Sequence, residues 1–223
     1  MRRLPVYILL DTSGSMKGEP IESVKDGLQT LLSALRTDPF ALESAYLCLV
    51  TFDREPKCVV PLASVDEFKL PEFETPDGPT HMGAALELLC GLVDKDVRKN
   101  SASGKGDWKP LLFLLTDGKP SDTQAYREII DEVKKRDFAA IVPLAAGMKA
   151  KTEPLKMLAD KVYVLQNMDR NDFGKFFQWV SASIAVGNKS AGLADDLELP
   201  PPPDEIIIGV ADTHLTLPPN SRV

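Results

Sequence analysis

Three short segments carry oxygen donors whose types and spacing suit a hard cation. Asp11, Ser13 and Ser15 alternate along the loop that ends the run Leu4-Pro-Val-Tyr-Ile-Leu-Leu-Asp-Thr-Ser-Gly-Ser15. Every second side chain of an extended segment faces the same way, so these oxygens can converge on one point. Gly14 between them is expected to allow backbone angles that a side chain would resist. Thr80 precedes a second helical stretch, and Asp117 closes another apolar run as Thr116-Asp117-Gly118. Together, two carboxylates and three hydroxyls fill five positions of an octahedron, with bonds of roughly 2.1 Å expected for Mg²⁺. This points to one divalent cation, Mg²⁺ first and Mn²⁺ or Ca²⁺ as alternatives, with waters standing between metal and some donors. No His or Cys takes part, so zinc or copper fits poorly on ligand softness. One position is left for solvent, and the carboxylate of a protein partner is its natural occupant.

Such a site needs strands that end where the donors begin. Val6–Leu10 is too short to span a membrane, which takes about 20 apolar residues. Five consecutive apolar residues bounded by turn formers instead predict a strand buried on both faces. Residues 17–36 read as a helix, with Ile21, Val24, Leu28, Leu31, Leu32 and Leu35 at helical spacing. Asp38-Pro39 ends it. Tyr46–Phe52 is a second strand, and Lys57–Leu62 follows closely enough to form a hairpin, with Pro61 placing it at a sheet edge. Pro71–Pro79 reads as loop, Met82–Val93 as a helix, and Asn100–Asp107 as a polar loop.

Pro110–Thr116 repeats the opening design of a buried strand ending in a carboxylate and a glycine. Ser121 or Asp122 can cap a helix over Tyr126–Arg136. Phe138–Ala145 and Lys161–Leu165 are further strands, with short and long helices at Thr152–Leu158 and Asp172–Val186. This alternation predicts an α/β fold: a doubly wound, mostly parallel six-stranded sheet with one antiparallel edge strand and helices on both faces. Ligands of such sheets sit outside the carboxyl ends of the strands, where strand order reverses. Asp11 and Asp117 both fall at such ends, and their loops meet there if the two strands are neighbours.

The composition sets the outer bounds. A chain of 223 residues, 43% hydrophobic and 26% charged, can bury a core without disulfides or zinc. Its net charge of −7 and lack of a long Lys/Arg cluster argue against a general nucleic-acid binder. Cys48, Cys58 and Cys90 are odd in number and lack CxxC spacing, which suits buried thiols in a reducing cytosol. Arg2 and Arg3 before an apolar run imitate a signal peptide faintly, but no small-residue cleavage site follows Leu10, and a cytoplasmic location is expected. The expected organisation is a domain over residues 1–190 and a Pro-rich tail over 191–223. Pro200–Pro203 is expected to act as a stiff linker. The alternative is that Ile206–Ile208 adds as a strand to a sheet edge.

An apolar strand closing in Asp-x-Ser-x-Ser, a distant Thr before a helix, and a later strand closing in Thr-Asp-Gly resemble the von Willebrand factor A domain and its metal-ion-dependent adhesion site. The resemblance covers roughly residues 4–187. It implies that Asp11, Ser13, Ser15, Thr80 and Asp117 are metal ligands, that partner binding rather than catalysis is the activity, and that outer helices can shift when the metal is engaged. Leu4–Ile21 and Pro110–Asp122 are also similar to the bacterial TerY-type branch of tellurium-resistance clusters. That branch implies a cytoplasmic scaffold or signalling role with kinase and phosphatase companions, in a tellurium-resistance or stress-response system. On the charge and the short apolar runs, no nucleic-acid or membrane partner is expected.

Each donor also has an ordinary structural reading. Asp at a strand end and Ser-Gly-Ser are common turn formers. Thr80 competes with Thr75 and can be explained as a helix cap. His81 is expected to be an exposed first-turn residue, Asp53 a solvated turn and Asp122 a cap. From another class, Asp11-Thr-Ser-Gly-Ser15 resembles the aspartyl-phosphate loop of haloacid-dehalogenase-type phosphotransferases, with Asp11 as nucleophile beside Mg²⁺. There Ser13 stands where a second acid is common, and Lys119 is the only nearby lysine for the charge neutralisation that phosphoryl transfer requires. With His81 and His214 the only histidines, a Ser/His/Asp triad has little material.

Overall fold

The first strand, β1 (Leu4–Asp11), is buried along its whole length, and its two faces feed two separate cores. Val6, Ile8 and Leu10 point into one cluster, while Tyr7 and Leu9 point into the other. That is the period-2 alternation of a central strand covered on both sides. The computed structural model describes residues 2–73, 76–101, 104–147, 150–190 and 198–210.

A short 3₁₀ turn at Gly14–Met16 leads into helix α1 (Glu19–Thr37) and a brief α2 (Pro39–Ser44). The hairpin β2 (Ala45–Phe52) and β3 (Lys57–Ser64) follows, then α3 (Met82–Asp96), β4 (Leu111–Thr116) and α4 (Thr123–Lys134). The chain continues through β5 (Ala140–Ala146), α5 (Glu153–Leu158), β6 (Lys161–Leu165), α6 (Arg170–Ser190) and β7 (Ile206–Val210). The strand order is β3-β2-β1-β4-β5-β6-β7, with β3 and β7 antiparallel to their neighbours and the remaining pairs parallel. Leu28, Leu31 and Leu35 of α1 and Phe173, Phe177 and Val180 of α6 fill one core. Met82, Leu86 and Leu89 of α3 and Tyr126, Ile130 and Val133 of α4 fill the other. The doubly wound, mostly parallel α/β sheet expected from the alternation of elements is therefore present, with Pro61 on the edge strand β3.

Two features extend that expectation. The sheet has a seventh strand, β7, which is the alternative considered for Ile206–Ile208 rather than the linker favoured for the Pro-rich segment, and it gives two antiparallel edges where one was expected. Its cause lies on α6. The Trp179 indole N–H donates to the Pro200 carbonyl at 2.9 Å, Lys175 pairs with Glu205, and Ile206 is 4% exposed in the α1/α6 core. These anchors fix the approach of residues 200–206, and Leu165↔Ile206 through Lys161↔Val210 complete the ladder. The rest of the expected tail, 191–197 and 211–223, lies outside the described residues.

The second feature is α2, in a stretch expected only to terminate α1. The Asp38 carboxylate accepts from the amides of Phe40 and Ala41, and Pro39 takes the first helical turn, where its missing N–H costs nothing.

Candidate metal centre

Strands β1 and β4 are direct neighbours, paired from Val6↔Leu111 to Leu10↔Leu115. Strand order reverses here, since β2 lies on the other side of β1. The loops after β1 and β4 therefore emerge side by side at the switch point. Asp11 is fully buried. One of its oxygens accepts the Ser13 amide at 2.8 Å and the other accepts the Thr116 hydroxyl at 2.5 Å. Ser13 Oγ lies 3.2 Å from Ser15 Oγ, and the Ser15 hydroxyl donates to Asp117 Oδ1 at 2.8 Å. Four of the five expected donors thus form one continuous chain of contacts.

Thr80 arrives on a third loop, which is stitched to both others. The Gly14 amide donates to the Gly78 carbonyl, and the Asp77 amide to the Thr12 carbonyl. On the other side, the Thr80 amide donates to Ser121 Oγ at 3.2 Å and the Ser121 amide returns a bond to the Thr80 carbonyl at 2.8 Å. Thr80 Oγ1 lies 3.2 Å from where a Cβ on Gly118 would stand, so a side chain at Gly118 would crowd it. Thr75 lies outside the described residues.

The structure reassigns several roles around these donors. Asp122 was expected to cap its own helix, but its carboxylate takes the amides of Gly83 and Ala84 at the start of α3. The helix-capping role considered for Thr80 is thereby filled by Asp122. Gly83 makes this possible, since a Cβ there would stand 2.4 Å from the Tyr126 amide. Gly14 does not use its conformational freedom; the left-handed glycines flanking the centre are Gly18 and Gly78. His81 is half-buried, not the exposed residue expected, and its Nδ1 donates to the Arg54 carbonyl at 2.7 Å. Asp53 is a turn residue, accepting the Glu55 amide.

Thr116 was not foreseen. Its hydroxyl donates to Asp11 and accepts from the Gly118 amide at 3.1 Å, so it orients one carboxylate and shapes the loop of the other. The available signal was a lone hydroxyl ending a wholly apolar strand.

The electrostatics suit a cation. Burial pushes the Asp11 carboxyl up to about 6, although bonds from Ser13 and Thr116 partly offset it. Burial raises Asp117 as well, against the bond from Ser15. Among the described residues no Lys, Arg or His side chain bonds to either carboxylate. Two aspartates and neighbouring hydroxyls, all oxygen, match the hard donor set that Mg²⁺, Mn²⁺ or Ca²⁺ accepts.

A doubly wound sheet with oxygen donors gathered on three loops at its switch point defines a class of α/β domain. Residues 6–178 match the von Willebrand factor type A domain model, and the chain belongs to that family. It is 33% identical over 124 residues to the uncharacterized Synechocystis protein sll0103, covering 53% of this chain and 26% of that protein. It is 25% identical over 155 residues to the thrombospondin-related anonymous protein of Plasmodium berghei, covering 66% of this chain and 25% of that protein. The chain thus spans about a quarter of the length of these curated relatives.

Among solved structures, proximal thread matrix protein 1 of the mussel byssus aligns at a TM-score of 0.60 and 14% identity, covering 81% of this chain and 48% of that one. A further structure of that mussel protein is described as having a zinc-occupied MIDAS motif. The pilus adhesin SpaC of Lactobacillus rhamnosus GG aligns at a TM-score of 0.61 and 12% identity, covering 84% of this chain and 31% of that one. At these identities the structural likeness concerns the fold. No helix among the described residues is long and apolar enough to cross a membrane.

Proposed function

We propose that this domain is a metal-dependent protein-interaction module. Asp11, Ser13, Ser15, Thr80 and Asp117 hold one divalent cation, Mg²⁺ by preference, which when bound supplies a Lewis-acidic position for a partner's carboxylate. The observation that carries the reading is the mutual bracing of three loops around a buried carboxylate that lacks a cationic side-chain partner among the described residues. Asp11–Thr116 and Ser15–Asp117 join the first and third loops, Gly14–Gly78 joins the first and second, and Thr80–Ser121 joins the second and third. Zinc in the mussel protein's motif makes Zn²⁺ a useful comparison, but five oxygen donors favour the harder Mg²⁺, Mn²⁺ or Ca²⁺.

The chain's own residues hold and orient; no bond is made or broken. Thr116 fixes the Asp11 carboxylate, and Asp122 and Ser121 fix the segment carrying Thr80. An aspartyl-phosphate enzyme would need Asp11 to reach a phosphorus atom. Here Asp11 is fully buried with both oxygens accepting hydrogen bonds, and Lys119 is exposed. The finer reading is a cytoplasmic scaffold of a bacterial tellurium-resistance or stress-response system, with a kinase or phosphatase as the acidic partner. It rests on the likeness of Leu4–Ile21 and Pro110–Asp122 to the TerY-type branch. The test is affinity capture by wild type and Asp11→Ala, each with Mg²⁺ or chelator. Partners retained by wild type in Mg²⁺ and lost in the other three conditions support the proposal. The same partners in all four overturn it.

A further inference from the structure

Away from the metal centre, two thiols meet near the edge of the sheet. Cys48 lies in the middle of β2, fully buried and in register with Tyr7 of β1. Cys58 is the second residue of the edge strand β3 and is half-exposed. Their sulfurs are 3.9 Å apart, within hydrogen-bonding reach for sulfur. The ladder pairs Cys58 with Val50, two residues along β2 from Cys48, so the two thiols are diagonal neighbours on one face of the hairpin, next to a register shift at Leu49. Cys90 sits apart on α3, buried, and all three cysteines are free.

A disulfide needs sulfurs about 2 Å apart. Closing the gap therefore takes a displacement of about 2 Å. β3 can supply it, because among the described residues β2 is its only strand neighbour. The pair is also polarised. The hydrogen bond from Cys48 lowers the Cys58 thiol, with Lys95 helping and Asp96 opposing. The same contact, together with burial, holds Cys48 well above the usual range. Cys58 is the more exposed of the two sulfurs and so the one an oxidant reaches first, and the thiolate is the nucleophile of thiol oxidation.

The geometry points to Cys48 and Cys58 as an oxidisable dithiol, in which Cys58 attacks a hydroperoxide and Cys48 resolves the product into a disulfide joining β3 to β2. In the first step the Cys58 thiolate forms an S–O bond as the O–O bond breaks. Cys58 becomes a sulfenic acid, losing two electrons, and the departing oxygen takes a proton to leave as water or an alcohol. In the second step Cys48 sulfur forms the S–S bond as the Cys58 S–O bond breaks. The Cys48 proton leaves with that hydroxyl as a second water. A dithiol reductant reverses the change by thiol–disulfide exchange. The new bond would lie on the strand whose end braces the first loop, through the Thr12 amide on the Phe52 carbonyl.

The test treats the fully reduced, folded chain with hydrogen peroxide, blocks remaining thiols by alkylation, and maps the peptides by mass. The expected product is about 2 Da lighter before alkylation, carries a Cys48–Cys58 linked peptide, keeps Cys90 alkylated, and reverts with dithiothreitol. Cys58→Ser should leave Cys48 reduced. Cys48→Ala should trap Cys58 as a sulfenic acid captured by dimedone, with Cys48→Ser as a second variant should the alanine variant fold poorly. Oxidation of Cys58 to sulfinic acid with Cys48 still free in wild type overturns the proposal. So does oxidation of the pair no faster than that of Cys90.

Discussion

At the amino end of β1, the Arg3 guanidinium lies 2.6 Å from Asp107, whose side chain is 2% exposed. At the carboxyl end, Asp11 is equally hidden but accepts only an amide and a hydroxyl. Burial alone would raise both acids. For Asp107, hydrogen bonds from Arg3 and the Arg98 amide outweigh it and hold the carboxyl below the usual aspartate range. For Asp11 the uncharged donors are not enough, and the carboxyl rises to about 6. The two ends of one strand thus sit beside two aspartates with opposite shifts, Asp107 from the loop before β4 and Asp11 from β1 itself. The first has its counter-charge within the chain and serves the fold. The second has no cationic side-chain partner among the described residues, and in the proposed function a bound cation supplies its counter-charge.

The strongest way to break that contrast is to remove the acid at the carboxyl end. Asp11→Ala should abolish measurable Mg²⁺ or Mn²⁺ binding by titration calorimetry while the circular dichroism of the fold is retained. Retained binding would show that Asp11 is not a ligand. Next in size is the opposite end. Arg3→Ala leaves Asp107 with the Arg98 amide but without its charged partner, and losing a hydrogen bond to a charged group costs roughly 1.5–3 kcal/mol. Urea denaturation should read most of that loss, with metal binding unchanged.

The two ends should also answer pH with opposite signs. Burial holds the Asp11 carboxyl at about 6 in the folded chain, above the ordinary aspartate value of 3.8. Without metal, its penalty is absent below about pH 4 and grows as pH rises towards 6, to at most about 3 kcal/mol. Asp107 is shifted down, so its contribution is present above the ordinary aspartate range and lost as pH falls through its lowered folded value. In metal-free melts, Asp11→Asn should remove the decline between about pH 4 and 6 and leave the acid limb in place. Metal affinity of wild type should weaken below about pH 6, as protons compete for Asp11. The smallest effect is expected from Thr116→Val, which keeps the shape but removes the bond to Asp11. Loss of such a supporting bond typically weakens metal binding about 10–100-fold.

Local signals carried much of this architecture. β1 and β4 were legible because unbroken apolar runs stop at an acid, and α1 and α6 because their apolar residues recur at helical spacing. The gathering of Asp11, Ser13, Ser15 and Asp117 was legible for the same reason, since adjacent parallel strands bring their end loops together. What escaped depends on partners distant in sequence. Asp122 looks like a cap for the helix it precedes, yet it serves α3, some forty residues earlier. Thr116 looks like one more strand residue until β1 is set beside it. α2 is only six residues long, and Asp38-Pro39 reads equally well as a stop or a start. β7 was legible only as an alternative to a linker, because the docking of the preceding polyproline run is decided by Trp179 and Lys175.

That last strand sets a timetable for the ribosome. β6 emerges with an open flank, and among the described residues the segment that closes it lies beyond α6 and the prolines. Until Ile206–Val210 has been made, the nascent sheet presents a bare row of amides and carbonyls beside Tyr163 and Trp179, the aromatic pair at that border. Any extended peptide that arrives first, including the same stretch of a neighbouring nascent chain, meets a ready-made berth.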